Sequence, residues 1–172
     1  ARDAWLDAAL GLAGIPDDGP ELPRGCVPYL PCPVADLLHV VDRTPIGASD
    51  VVVDVGSGAG RAATAIHLLT GATVVGVDIQ TGMIDASRAL ARRLGLTGVS
   101  FTLGDAAALA VSVDAATVFF LYCPFGGDRL AELLARLERQ QLPVEHGFFI
   151  DREAGNIRQV RTGQRNRGGD PV

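Results

Sequence analysis

Three glycines at alternate positions follow a valine-rich run that contains a carboxylate. The stretch is VVVDVGSGAGR, residues 51–61, in which Gly56, Gly58 and Gly60 come after Asp54. Glycines at a strand-to-helix turn let bare backbone approach a ligand. Their spacing is G-x-G-x-G, whereas a dinucleotide pyrophosphate site typically shows G-x-G-x-x-G. Asp54 would crowd a pyrophosphate, but it can accept hydrogen bonds from an ammonium group or from loop amides.

Two further carboxylates end the next two apolar runs. Asp78 closes VVGVD and Asp105 closes FTLGD. Parallel strands bring their carboxyl ends to one edge of a sheet, where ligands bind. Asp78 is placed to accept both hydroxyl protons of a ribose, and Asp105 to accept from the amino group of adenine. Three such acids suit an adenosine that carries a cation, as S-adenosylmethionine does, and they suit a polyphosphate poorly.

Valine-rich runs alternate with helical stretches from residue 51 onwards, which is the pattern of βαβ units. Strands that are apolar on both faces indicate a parallel sheet covered on both sides. The sequence therefore predicts an α/β fold with a doubly wound, mainly parallel sheet. The predicted strands are residues 51–55, 73–78, 99–105 and 115–122, and the predicted helices are residues 1–14, 34–43, 61–71, 81–95 and 127–140.

Two details of the predicted helices concern single side chains. We expect Ile66, Leu68 and Leu69 to face the sheet from the first helix after the glycines. We also expect Thr81 to cap the next helix, because a threonine before an apolar-periodic stretch is typical of an N-cap.

Composition limits the classes of function. The chain has 172 residues, 48% of them hydrophobic, and a net charge of -5, which argues against general nucleic-acid binding. Its longest apolar run, residues 115–125, is shorter than the roughly 20 residues that a membrane-spanning helix needs. The start of the chain lacks a signal-peptide pattern, and the unevenly spaced Cys26, Cys32 and Cys123 indicate neither a disulfide framework nor a metal site, so we expect a cytoplasmic, reduced protein.

The stretches DVGSGAGR, VVGVD and FTLGD, in this order and spacing, resemble the first three motifs of the class I S-adenosylmethionine-dependent methyltransferases. The resemblance implies a Rossmann-like methyltransferase fold with S-adenosylmethionine as cofactor. It implies that the three glycines line the methionine moiety, that Asp54 orders the loop around it, that Asp78 holds the ribose and that Asp105 meets the adenine amine. Other residues that it implies in cofactor binding are Ser57, Ile79, Gly104, Ala106 and Leu121, with Ile79 and Ala106 flanking the adenine ring.

The stretch YLPCP, residues 29–33, resembles the Y-V-P-T segment of small DOT1-like and ATP-synthase-c-subunit-type protein lysine methyltransferases. In that branch the segment closes over the cofactor, which implies a cofactor contact for Tyr29. Cys32 stands in the threonine position and lacks a hydroxyl donor.

The stretch FFLYCPF ends the fourth predicted strand, where the transferable methyl group should lie. Amino-group methyltransferases often carry Asn-Pro-Pro-Tyr there, and only Pro124 and Phe125 match that pattern. Methylation of adenine or glutamine is therefore disfavoured. We expect Tyr122, the catalytic candidate, and Phe125 to form an apolar wall around a lysine-like or small amine.

One domain over residues 1–172 accommodates these features. Residues 1–33 form an N-terminal helix and a proline-rich loop that covers the cofactor, residues 34–141 form the cofactor-binding core, and residues 142–172 form a hairpin or tail. The hairpin would turn near Gly155 and Asn156. After Gln141 either the sheet is abbreviated or some chain is missing.

These patterns favour an enzyme that transfers a methyl group to a nitrogen of a protein, lysine first, or of a small amine. The alternatives are a small-molecule N- or O-methyltransferase, a non-catalytic S-adenosylmethionine-binding module and, more distantly, a nicotinamide dehydrogenase, which would also need Asp78. The partner is a protein or small-molecule methyl acceptor, and the oligomeric state stays open.

Overall fold

The structure is a computed structural model that describes residues 1–12, 14–19, 22, 25–106, 115–139, 146–151 and 156–160. Its strands form one sheet in the order β3-β2-β1-β4-β5-β6. The strands are β1 Val51–Val55, β2 Thr73–Asp78, β3 Val99–Leu103, β4 Val118–Tyr122, β5 His146–Asp151 and β6 Asn156–Val160. The helices are α1 Arg2–Leu10, α2 Val34–Arg43, α3 Arg61–Thr70, α4 Thr81–Arg93 and α5 Gly127–Arg139.

The first five strands of the sheet run parallel, which confirms the predicted fold class. The strand order reverses between β1 and β4, and this switch point is where ligands bind in doubly wound folds. The register pairs Asp54 with Gly76 of β2 and Asp78 with Leu103 of β3. The carboxyl ends of β1, β2 and β3 therefore meet at one edge of the sheet.

Two apolar clusters cover the two faces of the sheet. Val52 and Phe120 pack with α2, α3 and α4 in one cluster. Val53 and Phe119, one residue away along their strands, pack with α5 in the other. The alternation explains why β1 and β4 are apolar at successive positions. Within the described ranges, every helix is too short or too polar to cross a membrane.

The end of the chain adds two strands. β5 pairs parallel with β4, and β6 pairs antiparallel with β5. The hairpin turn predicted near Gly155 falls on residues 152–155, which lie outside the described residues, as does the segment around Gln141.

Two predictions about helix side chains are wrong. Leu68 and Leu69 are 57% and 51% exposed, because the buried face of α3 is made by its small residues and Ile66. Leu68 lies about 200° around the helix from Ile66. Thr81 is the first helical residue of α4 rather than its cap, and the N-cap position is held by Gln80.

Gly60 shows how closely the glycine loop packs on the sheet. It sits at the N-cap of α3 with φ 84°, and a β-carbon there would lie 2.6 Å from Phe101 Cζ and 2.9 Å from Ser87 Cβ. Phe101 belongs to β3 and Ser87 to α4. Gly60 is thus a packing residue that lets α3 start close to both elements.

We expect Gly60→Ala to lower the free energy of unfolding by about 2 to 5 kcal/mol, because it adds overpacking to left-handed strain. The control is Gly95→Ala, where φ is 65° and no described atom lies within 4 Å of the added carbon. That variant should lose about 1 to 2 kcal/mol from strain alone. Urea denaturation measures both, and equal losses would contradict the packing role of Gly60.

Candidate functional site

The glycine loop is held by the end of β2. Gly56 N and Ser57 N both donate to the carbonyl oxygen of Val77, at 2.8 and 3.0 Å. Gly58 N donates to Asp78 Oδ2 at 2.8 Å. The loop amides are therefore ordered from β2, which corrects the expectation that Asp54 orders them.

Asp78 lies at the centre of this arrangement. Its other oxygen, Oδ1, accepts from Gln80 N at 2.8 Å, and the residue is 9% exposed. Burial raises the pKa of Asp78, while the amides of Gln80, Gly58 and Ile79 act in the opposite direction. A carboxylate oxygen has two lone pairs, so Asp78 retains acceptor capacity for a hydroxyl group.

Asp54 is a buried acid that can accept a further hydrogen bond. It is 2% exposed, and its Oδ2 has no hydrogen-bond partner among the described residues. Burial raises its pKa to about 7, the Ala63 amide opposes that shift, and the charge of Asp78 adds to it. A cation placed beside Asp54 would favour the ionised form.

Residues 25–33, which we call the strap, cross the glycine loop. The Tyr29 ring lies against Gly58, at a place that a β-carbon would occupy. Tyr29 N donates to both oxygens of Asp18, at 2.9 and 3.0 Å. Burial raises the pKa of the Tyr29 hydroxyl to about 12, so it stays protonated and can donate.

An inner cavity lies between the strap and the loop. Three of the residues that line it carry a buried oxygen with no hydrogen-bond partner in the described part of the chain. These oxygens are Tyr29 Oη, Asp54 Oδ2 and Ser57 Oγ. Buried polar atoms normally have partners. Such a cluster therefore indicates a place for a small polar ligand that carries both donors and acceptors. Cys32, Arg61 and Tyr122 also line this cavity.

An outer cavity lies beyond Asp78, along the ends of β2 and β3. Asp78, Ile79, Gly104, Asp105 and Ala106 line it, and it shares the lining residue Gly56 with the inner cavity. Leu22, Cys26 and Val27 cover it from the N-terminal side. Polar acceptors and apolar walls together suit a nucleoside.

Asp105 is oriented by α5. Arg129 Nη2 donates to Asp105 Oδ1 at 2.6 Å, and the Arg129 guanidinium lies 5.5 Å from the centre of the Phe125 ring. Both side chains of the ion pair are partly exposed. Any ligand that contacts Asp105 therefore shares it with Arg129.

The end of β4 faces both cavities. Tyr122 lines the inner cavity, whereas Phe125 lines the outer one, so the expected single wall of these two aromatic side chains is wrong. Between them Cys123 has φ 46°, a left-handed conformation that turns the chain. The strap pairs with this turn, because Val27 N donates to Pro124 O at 3.3 Å and Cys26 forms an antiparallel bridge with Phe125.

Three predicted cofactor residues, Gly58, Gly60 and Leu121, are not among the described residues that line the two cavities. The Tyr29 ring covers Gly58. Leu121 is 2% exposed and packs in the cluster beside α5. It therefore contributes to neither of the two cavities described above. Gly60 packs against Phe101 and Ser87 and lines neither the inner nor the outer cavity. Strand alternation explains Leu121, since Tyr122, its neighbour, points to the opposite face.

Four polar residues that hold the site in place were not predicted from the sequence: Asp18, Gln80, Arg61 and Arg129. Gln80 Nε2 donates to Asp18 at 2.9 Å and Gln80 Oε1 accepts from Gly19 N at 2.7 Å, so together they tie the N-terminal segment to β2. The sequence could have indicated Arg61, because a cation at the first residue of a helix is electrostatically unfavourable unless other residues compensate its charge.

Residues 46–141 match the model of a family described as methyltransferase domain. No curated protein matches the chain significantly.

Several solved structures are similar. An RNA methyltransferase from Salinibacter ruber, crystallised with S-adenosyl-L-homocysteine, is 27% identical with a TM-score of 0.58, over 64% of this chain and 71% of that one. A geranyl diphosphate C-methyltransferase from Streptomyces coelicolor A3(2) is 22% identical with a TM-score of 0.57, over 66% and 41%. A dimethyladenosine transferase from Plasmodium falciparum is 18% identical with a TM-score of 0.60, over 70% and 42%. The chain thus spans less than half the length of the last two, and their likeness shows the fold.

The raised pKa of Asp54 predicts how stability depends on pH. The folded protein holds a proton that the unfolded chain releases near pH 4, so the free energy of unfolding should fall as the pH rises from about 4 to about 7. Each pKa unit corresponds to about 1.4 kcal/mol, which gives a loss on the order of 4 kcal/mol.

We expect Asp54→Asn to remove most of this loss and to leave a smaller slope from Asp78. Urea denaturation between pH 4 and pH 8 measures it, with Asp42→Asn, an exposed carboxylate on α2, as the control. A slope as steep in Asp54→Asn as in the unmodified protein would show that Asp54 is not the responsible group.

Proposed function

The chain belongs to the methyltransferase domain family, and on that premise we propose that it transfers the methyl group of S-adenosylmethionine to a nitrogen atom, with a protein lysine side chain as the leading acceptor. The observation that carries the proposal is the cluster of three unpartnered buried oxygens in the inner cavity, counted over the described residues.

The inner cavity fits the amino-acid end of S-adenosylmethionine. Asp54 Oδ2 can accept from its ammonium group, and the hydroxyls of Tyr29 and Ser57 can donate to its carboxylate. The buried acids Asp54 and Asp78 also favour the positive sulfonium nearby. A phosphate in the same place would meet these two acids and be repelled.

The outer cavity fits the adenosine. Asp78 retains lone pairs for the ribose hydroxyls, and Ile79 and Ala106 supply apolar walls for the adenine ring. Asp105, shared with Arg129, is the acceptor for the adenine amino group. Gly56 lines both cavities, so they are neighbours, and this arrangement suits a ligand that is nucleoside at one end and amino acid at the other.

Methyl transfer requires little acid-base catalysis from the protein. A neutral nitrogen attacks the methyl carbon, the carbon–sulfur bond breaks, and the sulfonium becomes a neutral thioether while the nitrogen later loses its proton. The protein aligns and desolvates the two reactants. Burial raises the pKa of Cys32 and of Cys26, so both stay thiols and do not compete as nucleophiles.

Lysine as acceptor rests on two features. The strap contains YLPCP, which resembles the segment that closes over the cofactor in small protein lysine methyltransferases. Tyr122 lines the inner cavity and is 8% exposed, so its ring can pack against the aliphatic part of a lysine side chain.

A second candidate acceptor is a small molecule with an amine or hydroxyl group. The pairing of the strap with Pro124 and Phe125 closes the site on one side, and an enclosed site favours a small acceptor over a protein chain. The Streptomyces neighbour is a methyltransferase of a small molecule, and the Salinibacter neighbour one of RNA.

The distribution of labelled methyl groups among cell fractions identifies the class of methyl acceptor. Purified protein is incubated with a cell lysate and methyl-labelled S-adenosylmethionine, and label is counted in protein, RNA and small-molecule fractions. We expect label in protein that hydrolyses to N-methyl-lysine. Label confined to small molecules would favour the second candidate, and label in no fraction, beyond that of a heat-inactivated sample, would contradict transfer.

Cofactor binding can be tested without an acceptor. We expect calorimetry to detect S-adenosylmethionine and S-adenosylhomocysteine binding, with much weaker binding of NAD. Asp78→Asn replaces one acceptor oxygen by a donor, which should weaken binding by about 2 to 4 kcal/mol. Asp85→Asn, an exposed position on α4, is the control. Unchanged affinity in Asp78→Asn would refute the ribose assignment.

A further inference from the structure

Arg61 is a buried cation with an unusual position. It is 2% exposed, it is the first residue of α3, and it follows the last glycine of the loop. A positive charge there opposes the helix dipole, and burial adds a desolvation cost. Interactions with other residues must offset both costs. The elements that supply those interactions are the ones that Arg61 connects.

The partners of Arg61 lie in the N-terminal part of the chain. Its Nε donates to Asp7 Oδ1 at 2.6 Å and its Nη2 to Asp3 Oδ1 at 2.8 Å, and both acids belong to α1. Its Nη1 donates to the carbonyl oxygen of Cys32 in the strap. One guanidinium therefore joins α1 and the strap to the helix that starts at the glycine loop.

Asp3 extends the connection to α2. The same Oδ1 that accepts from Arg61 also accepts from Val34 N, the first amide of α2, at 2.9 Å. These two contacts together hold the pKa of Asp3 below its ordinary value. Asp3 thus satisfies an end amide of α2 from another helix, and the strap enters α2 at a fixed place.

The strap is held at both ends of its cofactor-facing part. Asp18 accepts from Tyr29 N at one end, and Arg61 donates to Cys32 O at the other. Between these contacts the Tyr29 ring lies against Gly58, and Tyr29 lines the inner cavity. Loss of the Arg61 contact would release the Cys32 end of this part, while Asp18 would still hold it at Tyr29.

We infer that Arg61 is a positioning residue for the cofactor: through Asp3, Asp7 and Cys32 it holds the strap over the inner cavity, so that α1, which lies outside the family match, is part of the cofactor-binding unit. The inference rests on the proposed function. A buried ion pair adds little net stability compared with apolar packing, and its best-supported use is to fix one arrangement of the chain.

Two variants test the inference. Arg61→Lys keeps the charge but loses the planar fork that reaches three partners, and Asp7→Asn removes the charge of a partner whose side chain is 39% exposed. Asp42→Asn on α2, an exposed carboxylate, is the matched control. Asp7→Asn keeps the test usable if Arg61→Lys does not fold.

Two measurements separate positioning from general stability. Hydrogen exchange without cofactor should be at least tenfold faster at the amides of Tyr29, Leu30 and Cys32 in both variants, and unchanged in β1. Calorimetry should show S-adenosylhomocysteine binding at least tenfold weaker in Arg61→Lys, several-fold weaker in Asp7→Asn and unchanged in Asp42→Asn.

Strap exchange and affinity equal to those of the unmodified protein would overturn the inference. Uniform acceleration of exchange across the chain would also overturn it, because that result indicates a purely structural role. If the unmodified protein does not bind S-adenosylhomocysteine, the proposed function fails, whereas faster exchange confined to the strap would still support the positional role of Arg61.

Discussion

The hydrogen bond from Gly58 N to the Asp78 carboxylate is the contact around which the site is arranged. It closes the glycine loop against the end of β2, and Gly56 and Ser57 follow by donating to Val77. With the loop so placed, Tyr29 can lie on Gly58 and α3 can start beside β3 and α4. Because β2 supplies the acceptors, Asp54 keeps one oxygen free of hydrogen bonds to any described residue.

The electrostatics of the site favour a cation. Burial raises the pKa of both Asp54 and Asp78, and each acid lies in a place that disfavours its charge. The nearby cation, Arg61, is engaged with Asp3 and Asp7 on α1. A ligand that carries its own positive charge would therefore relieve the cost of ionising these acids, whereas an anionic ligand would add to it.

The sequence predicted what depends on local pattern and failed where distant partners decide. Valine-rich runs and strand-end acids identified β1 to β4 and the edge of the sheet that carries Asp54, Asp78 and Asp105. Whether Leu121 or Tyr122 faces the inner cavity is a question of strand parity, which a uniformly apolar run does not answer. The partners of Arg61 lie 29 to 58 positions away along the chain, and the partner of Asp105 lies 24 positions away, so their roles appeared only with the fold.

A crystal structure of the protein with S-adenosylhomocysteine tests the central claim most directly. We predict the ribose hydroxyls within hydrogen-bond distance of Asp78, the ammonium group beside Asp54 Oδ2, and the carboxylate near the hydroxyls of Tyr29 and Ser57. A ligand bound elsewhere, or bound at this edge with its amino-acid end directed away from Asp54, would contradict it.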